Sequence, residues 1–180
     1  MTTDAALHLP LPRWVYLPGG ALPPDADALE RAVALVPARF DGRVPRDHPA
    51  LAYGLALNDA GFFWEAHEVL EAVWRAAPPG GRDRILLRAC IQVANAGLKH
   101  RLGRSRAVAR LIAEAIAELE ELAVRGSGPA GGFADGYAVA KLRRDLGEAA
   151  KQPPTGGRWI GLAPGSRDMH ENAHYSADRE

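Results

Sequence analysis

Apolar side chains recur every three to four positions over much of the chain, which is the spacing of one face of an α-helix. The clearest example is the stretch 105–124, whose apolar positions are Val108, Leu111, Ile112, Ala115, Ile116, Leu119 and Leu122. The same spacing predicts helices over residues 62–76 and 83–102. Ser105 is a residue type that favours the N-cap, so we expect it to cap the helix of residues 105–124.

Three shorter helices are predicted around these. Asp25 is expected to cap a short helix that carries Leu29, Val33 and Val36 and ends before Pro37. A second helix is expected to begin near Pro49, with Asp47 or His48 as its cap. It should end near Asn58, because the run Asn58-Asp59-Ala60-Gly61 is typical of a helix end. The last predicted helix covers residues 134–146.

Proline divides the chain into three parts. Eight of the 14 prolines lie between Pro10 and Pro49, whereas long proline-free stretches follow. A proline inside a helix costs about 3 kcal/mol, so the long helices belong in those stretches. We therefore predict a proline-rich arm with one short helix over residues 1–46, a helical domain over 47–148 and a largely disordered tail over 149–180. Apolar residues that could hold the arm and the tail to the domain are Trp14, Val15, Tyr16, Leu17, Trp159, Ile160 and Leu162.

Composition favours an all-α fold. The chain has 34 alanines and 21 leucines, which are helix-forming residues. The predicted helices turn at Gly61 and Gly103, which indicates a compact bundle of stacked antiparallel helix hairpins that pack like tetratricopeptide repeats. Small residues on the helix 83–102 would let a neighbouring helix approach closely; they are Ala89, Ala94, Ala96 and Gly97.

Charge and cysteine content narrow the class of protein further. There are 22 basic and 22 acidic residues, so the chain has no overall field to attract nucleic acid or an anionic membrane. No apolar run approaches the ~20 residues of a transmembrane helix, and residues 1–4 do not resemble a signal peptide. Cys90 is the single cysteine and is expected to be a packing residue. These features favour a cytoplasmic protein without a membrane partner.

The helix 62–76 contains the sequence His-Glu-x-x-Glu, which could bind a metal. His67 and Glu71 are four residues apart and so lie on one helix face, like the two histidines of His-Glu-x-x-His zinc peptidases. His100 projects onto the apolar face of its own helix and is the candidate third ligand. Glu68 would then serve as general base. This hypothesis describes a metal-dependent, hydrolase-like enzyme with a divalent metal as its cofactor; no other cofactor is indicated.

Each of these residues also has a structural interpretation. His100 could be a buried histidine with one hydrogen-bond partner. His67 and Glu71 could simply pair with each other or with a neighbouring helix. Trp74 could belong to the core, and Gln92 could bond an adjacent helix.

A band of basic residues crosses the neutral chain. Within it Asp83 is the one acidic residue, and the basic residues are Arg82, Arg84, Arg88, Lys99, Arg101, Arg104, Arg106 and Arg110. Such a band could contact nucleic acid phosphates or an acidic partner. It has no interleaved aromatic residues, and arginines on helix surfaces are commonly just solvated, so a nucleic acid partner is the least favoured of the alternatives.

Part of the chain resembles a known family. The residues Asn58-x-x-Gly61-x-Phe63-x-Glu65-Ala66-His67-Glu68-Val69-Leu70-Glu71-x-x-Trp74-Arg75, followed by Ile91-Gln92-x-Ala94 and His100, resemble the bacterial and archaeal family called domain of unknown function 309. The resemblance covers about residues 51–122. It implies a prokaryotic, all-helical domain of unassigned activity. It also implies a set of family-type positions: His67, Glu68, Glu71, Trp74, Gln92 and His100. The chain departs from the family pattern at Ala89-Cys90 and at Leu102-Gly103-Arg104.

The function that the sequence favours is a non-catalytic one. Stacked helix pairs with a few polar residues at a helix-helix interface are typical of a module that binds a protein or a small molecule. A metal-dependent enzyme is the alternative, and nucleic acid contact is the third. The sequence leaves open whether the protein is an enzyme, whether it forms a homo-oligomer and which partner it binds.

Overall fold

The computed structural model describes residues 9–13, 15–20, 26–155 and 159–164. Within them the chain forms six helices, and the one β-type pairing is an isolated antiparallel bridge between Pro45 and Gly132. The all-α prediction is confirmed. The helices are α1 (Ala26–Ala34), α2 (Pro49–Asp59), α3 (Phe63–Ala76), α4 (Arg82–Arg101), α5 (Ser105–Val124) and α6 (Val139–Lys151).

Helices that follow one another from α2 to α6 pack together. The pairs α2–α3, α3–α4, α4–α5 and α5–α6 are all in contact, while α1 lies against α2 and α3. Gly61 and Gly103 adopt φ values of +86° and +67°, which only glycine accepts readily, and each closes a tight turn between two helices. The hairpins predicted at these glycines are therefore present. Their arrangement as tetratricopeptide repeats stays a prediction.

The close helix approach predicted at Gly97 is confirmed. A Cβ atom at this position would lie 2.7 Å from Cε1 of Phe63, which is nearer than two carbon atoms can come. The glycine therefore lets the ring of Phe63 on α3 lie directly against the backbone of α4. Gly54 has the same role between α2 and α3, where an added Cβ would lie 2.9 Å from Leu70.

The predicted apolar face of α1 is only partly correct. The buried residues of α1 are Ala28 and Ala32, whereas Val33 is 38% exposed. The expected cap Asp25 lies outside the described residues.

At α5 the cap position belongs to Arg104, because Ser105 is already helical, and the Arg104 side chain makes no capping hydrogen bond. His48 precedes α2 without a side-chain cap either, although Pro49 occupies the first turn as predicted.

The last helix begins five residues later than predicted and runs further. The sequence favoured residues 134–146, but α6 covers Val139–Lys151. Phe133 and Ala134 are instead held in a loop, where their backbone N–H groups bond to Val44 O and to the Asp83 carboxylate. Gly136 has a φ of +75°, which interrupts any helix at that point. Long-range bonds therefore override the local helix signal here.

Asp83 is a buried carboxylate in the first turn of α4, where the sequence suggested only a helix start. It is 5% exposed, and its two oxygens accept hydrogen bonds from the backbone N–H groups of Val44 and Ala134, each at 2.8 Å. The two donors belong to separate loops. One side chain thus fastens both loops to the bundle.

Residues outside the predicted helical domain also contact the bundle. Ile160 and Leu162 are 6% and 1% exposed, so the stretch 159–164 packs into the core although it follows α6. Two further parts of the predicted tail, residues 156–158 and 165–180, lie outside the described residues. Among the residues that the structure describes, no helix is both long enough and apolar enough to cross a membrane.

Candidate interaction surfaces

Two of the predicted metal ligands lie together on α3. His67 Nε2 is 3.5 Å from Glu71 Oε2, and Arg75 Nη2 donates to Glu71 Oε1 at 2.8 Å. The carboxylate is therefore shared between an imidazole and a guanidinium on one exposed helix face. Glu68, the candidate base, is half-buried on the same helix.

His100 does not join this pair. It was predicted to point into the core, but it is exposed, and its ring stacks on Trp159 with the centroids 5.1 Å apart and the planes at 25°. In the described part of the chain no three histidine, cysteine, aspartate or glutamate side chains come together as a group that could hold a metal ion. The ligand set His67, Glu71 and His100 is therefore not assembled.

Trp74 and Gln92 occupy two further places. The Arg84 guanidinium lies 4.0 Å from the centre of the Trp74 ring and donates to the carbonyls of Trp74 and Ala77 at the end of α3. The indole N–H of Trp74 is buried and has no hydrogen-bond partner. Gln92 donates from α4 to Glu114 on α5 at 2.7 Å. Of the six family-type residues, His67 and Glu71 thus contact each other, whereas Trp74, Gln92 and His100 each contact another neighbour.

A cleft of about 200 Å³ lies beside Trp74. Its charged lining residues neutralise one another: Arg88 Nε is 2.7 Å from Glu118 Oε1, and Arg125 Nη2 is 2.6 Å from Glu121 Oε1. Burial raises the pKa of Glu118, although the charge of Arg88 opposes this. Glu118 on α5 is 9% exposed and pairs with Arg88 on α4.

Much of the arginine band bonds to the protein itself. Arg82 donates to the carbonyls of Leu122 and Gly126, where α5 ends, at 2.9 and 2.7 Å. Arg101 donates to Gly61 O at 2.7 Å, and Arg110 pairs with Glu114. Backbone carbonyls left over at helix ends need donors, and these guanidinium groups supply them. The band therefore has a structural explanation.

Residues 159–164, which we call the Trp159 segment, lie in a groove formed by α2, α3, α4 and the loop before α6. Asp59 accepts hydrogen bonds from two successive backbone N–H groups, with Oδ1 2.6 Å from Leu162 N and Oδ2 3.0 Å from Ala163 N. Asn58 Nδ2 donates to Ile160 O at 2.9 Å. All three of these hydrogen bonds are made to the main chain of the segment. We call this surface the segment groove; its residues are Asn58, Asp59, Phe63, Val93, His100 and Tyr137.

The other groove residues hold the tryptophan and the middle of the segment. Trp159 Nε1 donates to Val93 O at 2.8 Å, and its ring meets Phe63 edge-on with centroids 6.3 Å apart. Tyr137 Oη donates to Leu162 O at 2.8 Å. The Cys90 thiol in turn hydrogen-bonds to Tyr137, and burial raises the pKa of both groups above their usual ranges. Cys90 is fully buried, in agreement with its predicted packing role.

A second stretch outside the helices, residues 9–13 and 15–20, contacts α2 and α3. From here on the name arm refers to these residues alone rather than to the whole predicted region 1–46. Tyr53 Oη donates to Pro10 O at 2.8 Å, and Tyr16 N donates to Glu65 Oε1 at 3.2 Å. The ring of Tyr16 lies 4.5 Å from that of Trp64. Tyr16 thus holds the arm as the sequence suggested, while its neighbours Val15 and Leu17 are 44% and 41% exposed. Trp14 lies outside the described residues.

Glu65 should titrate above its ordinary value. Burial raises the pKa of this carboxyl from 4.5, opposed by hydrogen bonds from backbone N–H groups, including that of Tyr16, and by the charge of Arg101. Because the folded state holds the proton more tightly, the contribution of Glu65 to stability is full below pH 4.5 and is lost as the pH rises through the raised pKa. A ¹³C NMR titration of the Glu65 carboxyl should give a midpoint above 4.5, and the Tyr16 amide signal should follow it. A midpoint at or below 4.5 would contradict this assignment, and Glu65→Gln should remove the response at Tyr16.

Fold and surfaces together define an all-helical protein whose bundle binds two segments of its own chain. Residues 51–111 match the family model described as Domain of unknown function (DUF309). The match covers about a third of the chain, and it confirms the resemblance noted in the sequence. The comparisons with curated proteins and with solved structures give no match.

The family match covers most residues of the two binding surfaces but not the two segments that occupy them. Most residues of the segment groove, together with Tyr53, Trp64 and Glu65, lie inside residues 51–111, whereas the Trp159 segment and the arm lie outside. Sequence reasoning read Asn58 and Asp59 only as a helix end, and it assigned Tyr53, Glu65 and Tyr137 no polar role. The sign of these residues in the sequence was that helical periodicity places their polar side chains among apolar ones.

Proposed function

We propose that this chain is a non-catalytic interaction module whose helical bundle binds a peptide segment in the segment groove. The observation that carries the proposal is the way Asp59 and Asn58 bond the main chain of residues 159–164. A carboxylate that accepts two successive N–H groups recognises a bent main chain, because only such a conformation points both groups at one anion. The Trp159 segment is then the intramolecular ligand of the groove.

The contacts around Trp159 supply the specificity. The groove takes one tryptophan between His100 and Phe63 and buries the aliphatic residues Ile160 and Leu162. Tryptophan is enriched among the residues that dominate binding energy at interfaces, because it buries a large area and also donates a hydrogen bond. The preferred ligand is therefore a segment with tryptophan followed by aliphatic residues one and three positions later.

The other two functions inferred from the sequence have less support. The metal hypothesis needs His100 beside His67 and Glu71, and these side chains do not form a metal-binding group. The nucleic acid hypothesis needs guanidinium groups that face solvent, whereas Arg82, Arg84 and Arg101 bond to helix-end carbonyls. The cleft beside Trp74 is small, and its charges are already paired.

A peptide competition experiment tests the proposal on the full chain. The probe is a synthetic peptide with the sequence of residues 157–166, GRWIGLAPGS, added to isotope-labelled protein. A short tether holds the intramolecular segment at an effective concentration in the millimolar range, so the wild-type groove should be occupied. Trp159→Ala weakens that competitor, and we expect the variant to bind the peptide at least about tenfold more tightly than the wild type.

Two controls make the result specific. A peptide with alanine in place of its tryptophan should bind at least tenfold more weakly to the Trp159→Ala protein, because the indole contacts are lost. Adding Asp59→Ala to that protein should weaken peptide binding as well. The proposal would be overturned if both peptides bind with equal affinity. It would also be overturned if Trp159→Ala keeps its helical circular dichroism spectrum but binds the peptide no more tightly than the wild type.

A further inference from the structure

The surface beneath the arm has the features of a receptor for proline-rich segments. It is formed by Tyr53 at the middle of α2 and by Trp64 and Glu65 in the first turn of α3, and we call it the arm surface. The hydroxyl of Tyr53, itself 6% exposed, donates to the carbonyl of Pro10 at 2.8 Å. A proline has no N–H of its own to pair, so the carbonyl is the backbone group through which such a segment can be bound.

The arm itself shows what this surface accepts. Pro10 and Pro12 fix the φ angles at the start of the arm, which then loses little conformational freedom on docking. The ring of Tyr16 rests on Trp64, and the Tyr16 N–H bonds to Glu65. The stretch ends in a turn, closed by the bond from Gly20 N to Leu17 O. The interaction thus combines aromatic contact, a bonded prolyl carbonyl and one bonded N–H.

One buried atom of this surface has no partner within the described residues. Glu65 is 2% exposed, and none of those residues donates to its Oε2, whereas Oε1 accepts from Tyr16 N. Buried polar groups are nearly always hydrogen-bonded, and a buried carboxylate oxygen without a partner costs stability. The arm therefore does not satisfy the surface completely. A segment with one more N–H donor at this point would make a bond that the arm does not make.

We propose that the arm surface is a binding site for a proline-rich extended segment of a partner protein, and that the arm is its intramolecular competitor. The partner has a proline whose carbonyl accepts the Tyr53 hydroxyl, an aromatic residue that lies on Trp64 and an N–H donor for Glu65. Aromatic side chains that bind preformed proline-rich segments are a recurring mode of peptide recognition. The site is distinct from the segment groove, because it takes prolines rather than tryptophan and uses other residues.

The experiment weakens the binding of the arm, so that the arm surface becomes available to an added peptide. The probe is a peptide with the sequence of residues 8–18, HLPLPRWVYLP, titrated into the full-length protein and followed at the labelled indole N–H of Trp64. Tyr16→Ala removes the contact of the arm with Trp64 and leaves the receptor residues intact. We expect this variant to bind the peptide about tenfold more tightly than the wild type, since its own arm competes less.

A conservative receptor variant and a scrambled peptide complete the test. Tyr53→Phe in the Tyr16→Ala protein keeps the ring and removes the hydroxyl, so affinity should fall about fivefold through the lost hydrogen bond. A scrambled peptide of the same composition should not saturate the Trp64 signal. Equal binding of the scrambled peptide, an unchanged affinity in Tyr53→Phe, or no binding to a folded Tyr16→Ala protein would overturn the proposal. None of these outcomes depends on the segment groove.

Discussion

Replacement of Asp83 by alanine should lower the free energy of unfolding by about 3–6 kcal/mol. The carboxylate accepts two backbone N–H groups at 2.8 Å, from Val44 and from Ala134, and is 5% exposed. A hydrogen bond to a charged group contributes about 1.5–3 kcal/mol, and alanine removes both bonds. It also leaves two buried donors without partners. The loops that contain Val44 and Ala134 lie 39 and 51 residues from Asp83 in sequence, and they would lose their common attachment to α4.

Urea unfolding followed by circular dichroism measures this effect. Asp83→Asn should lose about half as much, because an amide offers one acceptor oxygen where the carboxylate offers two. Asp27→Ala provides the matched control: Asp27 is exposed in the first turn of α1, so the change should stay within about 0.5 kcal/mol. A loss below 1 kcal/mol for Asp83→Ala would mean that the two loops do not depend on this side chain.

Replacement of Asp59 by alanine should release the Trp159 segment while the helices stay folded. The two oxygens of Asp59 bond the N–H groups of Leu162 and Ala163, over a sequence separation of 103 and 104 residues. Loss of both charge-assisted bonds should raise the population of the released segment by on the order of 100-fold. The amide protons of Leu162 and Ala163 should then exchange faster with solvent by about that factor.

The single cysteine gives an independent readout of the same event. Cys90 is fully buried and hydrogen-bonds to Tyr137, whose hydroxyl holds Leu162 O. Release of the segment uncovers this cluster, so a thiol reagent should label Asp59→Ala faster than the wild type. Glu148→Ala removes an exposed carboxylate that pairs with Lys151 on α6 and should leave both readouts unchanged. Unchanged exchange in Asp59→Ala would show that the apolar contacts alone hold the segment.

The sequence predicted the helices more fully than the candidate site. The bounds of α3, α4 and α5 agree with the apolar spacing to within a residue or two, and Gly61 and Gly103 turn where expected. The candidate site residues were predicted as one polar cluster, but His67, Trp74 and His100 each contact a different neighbour. A helical projection gives the direction of a side chain relative to its own helix, and the partner depends on how other helices and segments pack.

The sequence by itself determined the all-α class, the positions of the long helices and the resemblance to the DUF309 family, because each rests on spacing within one stretch of chain. Only the tertiary structure decided which polar side chains are buried and what they bind. Asp83, Asp59, Asn58 and Glu65 all accept or donate bonds across 39 or more residues. No local pattern encodes such a pairing, since a buried carboxylate is stabilised by the particular backbone N–H groups that folding brings to it.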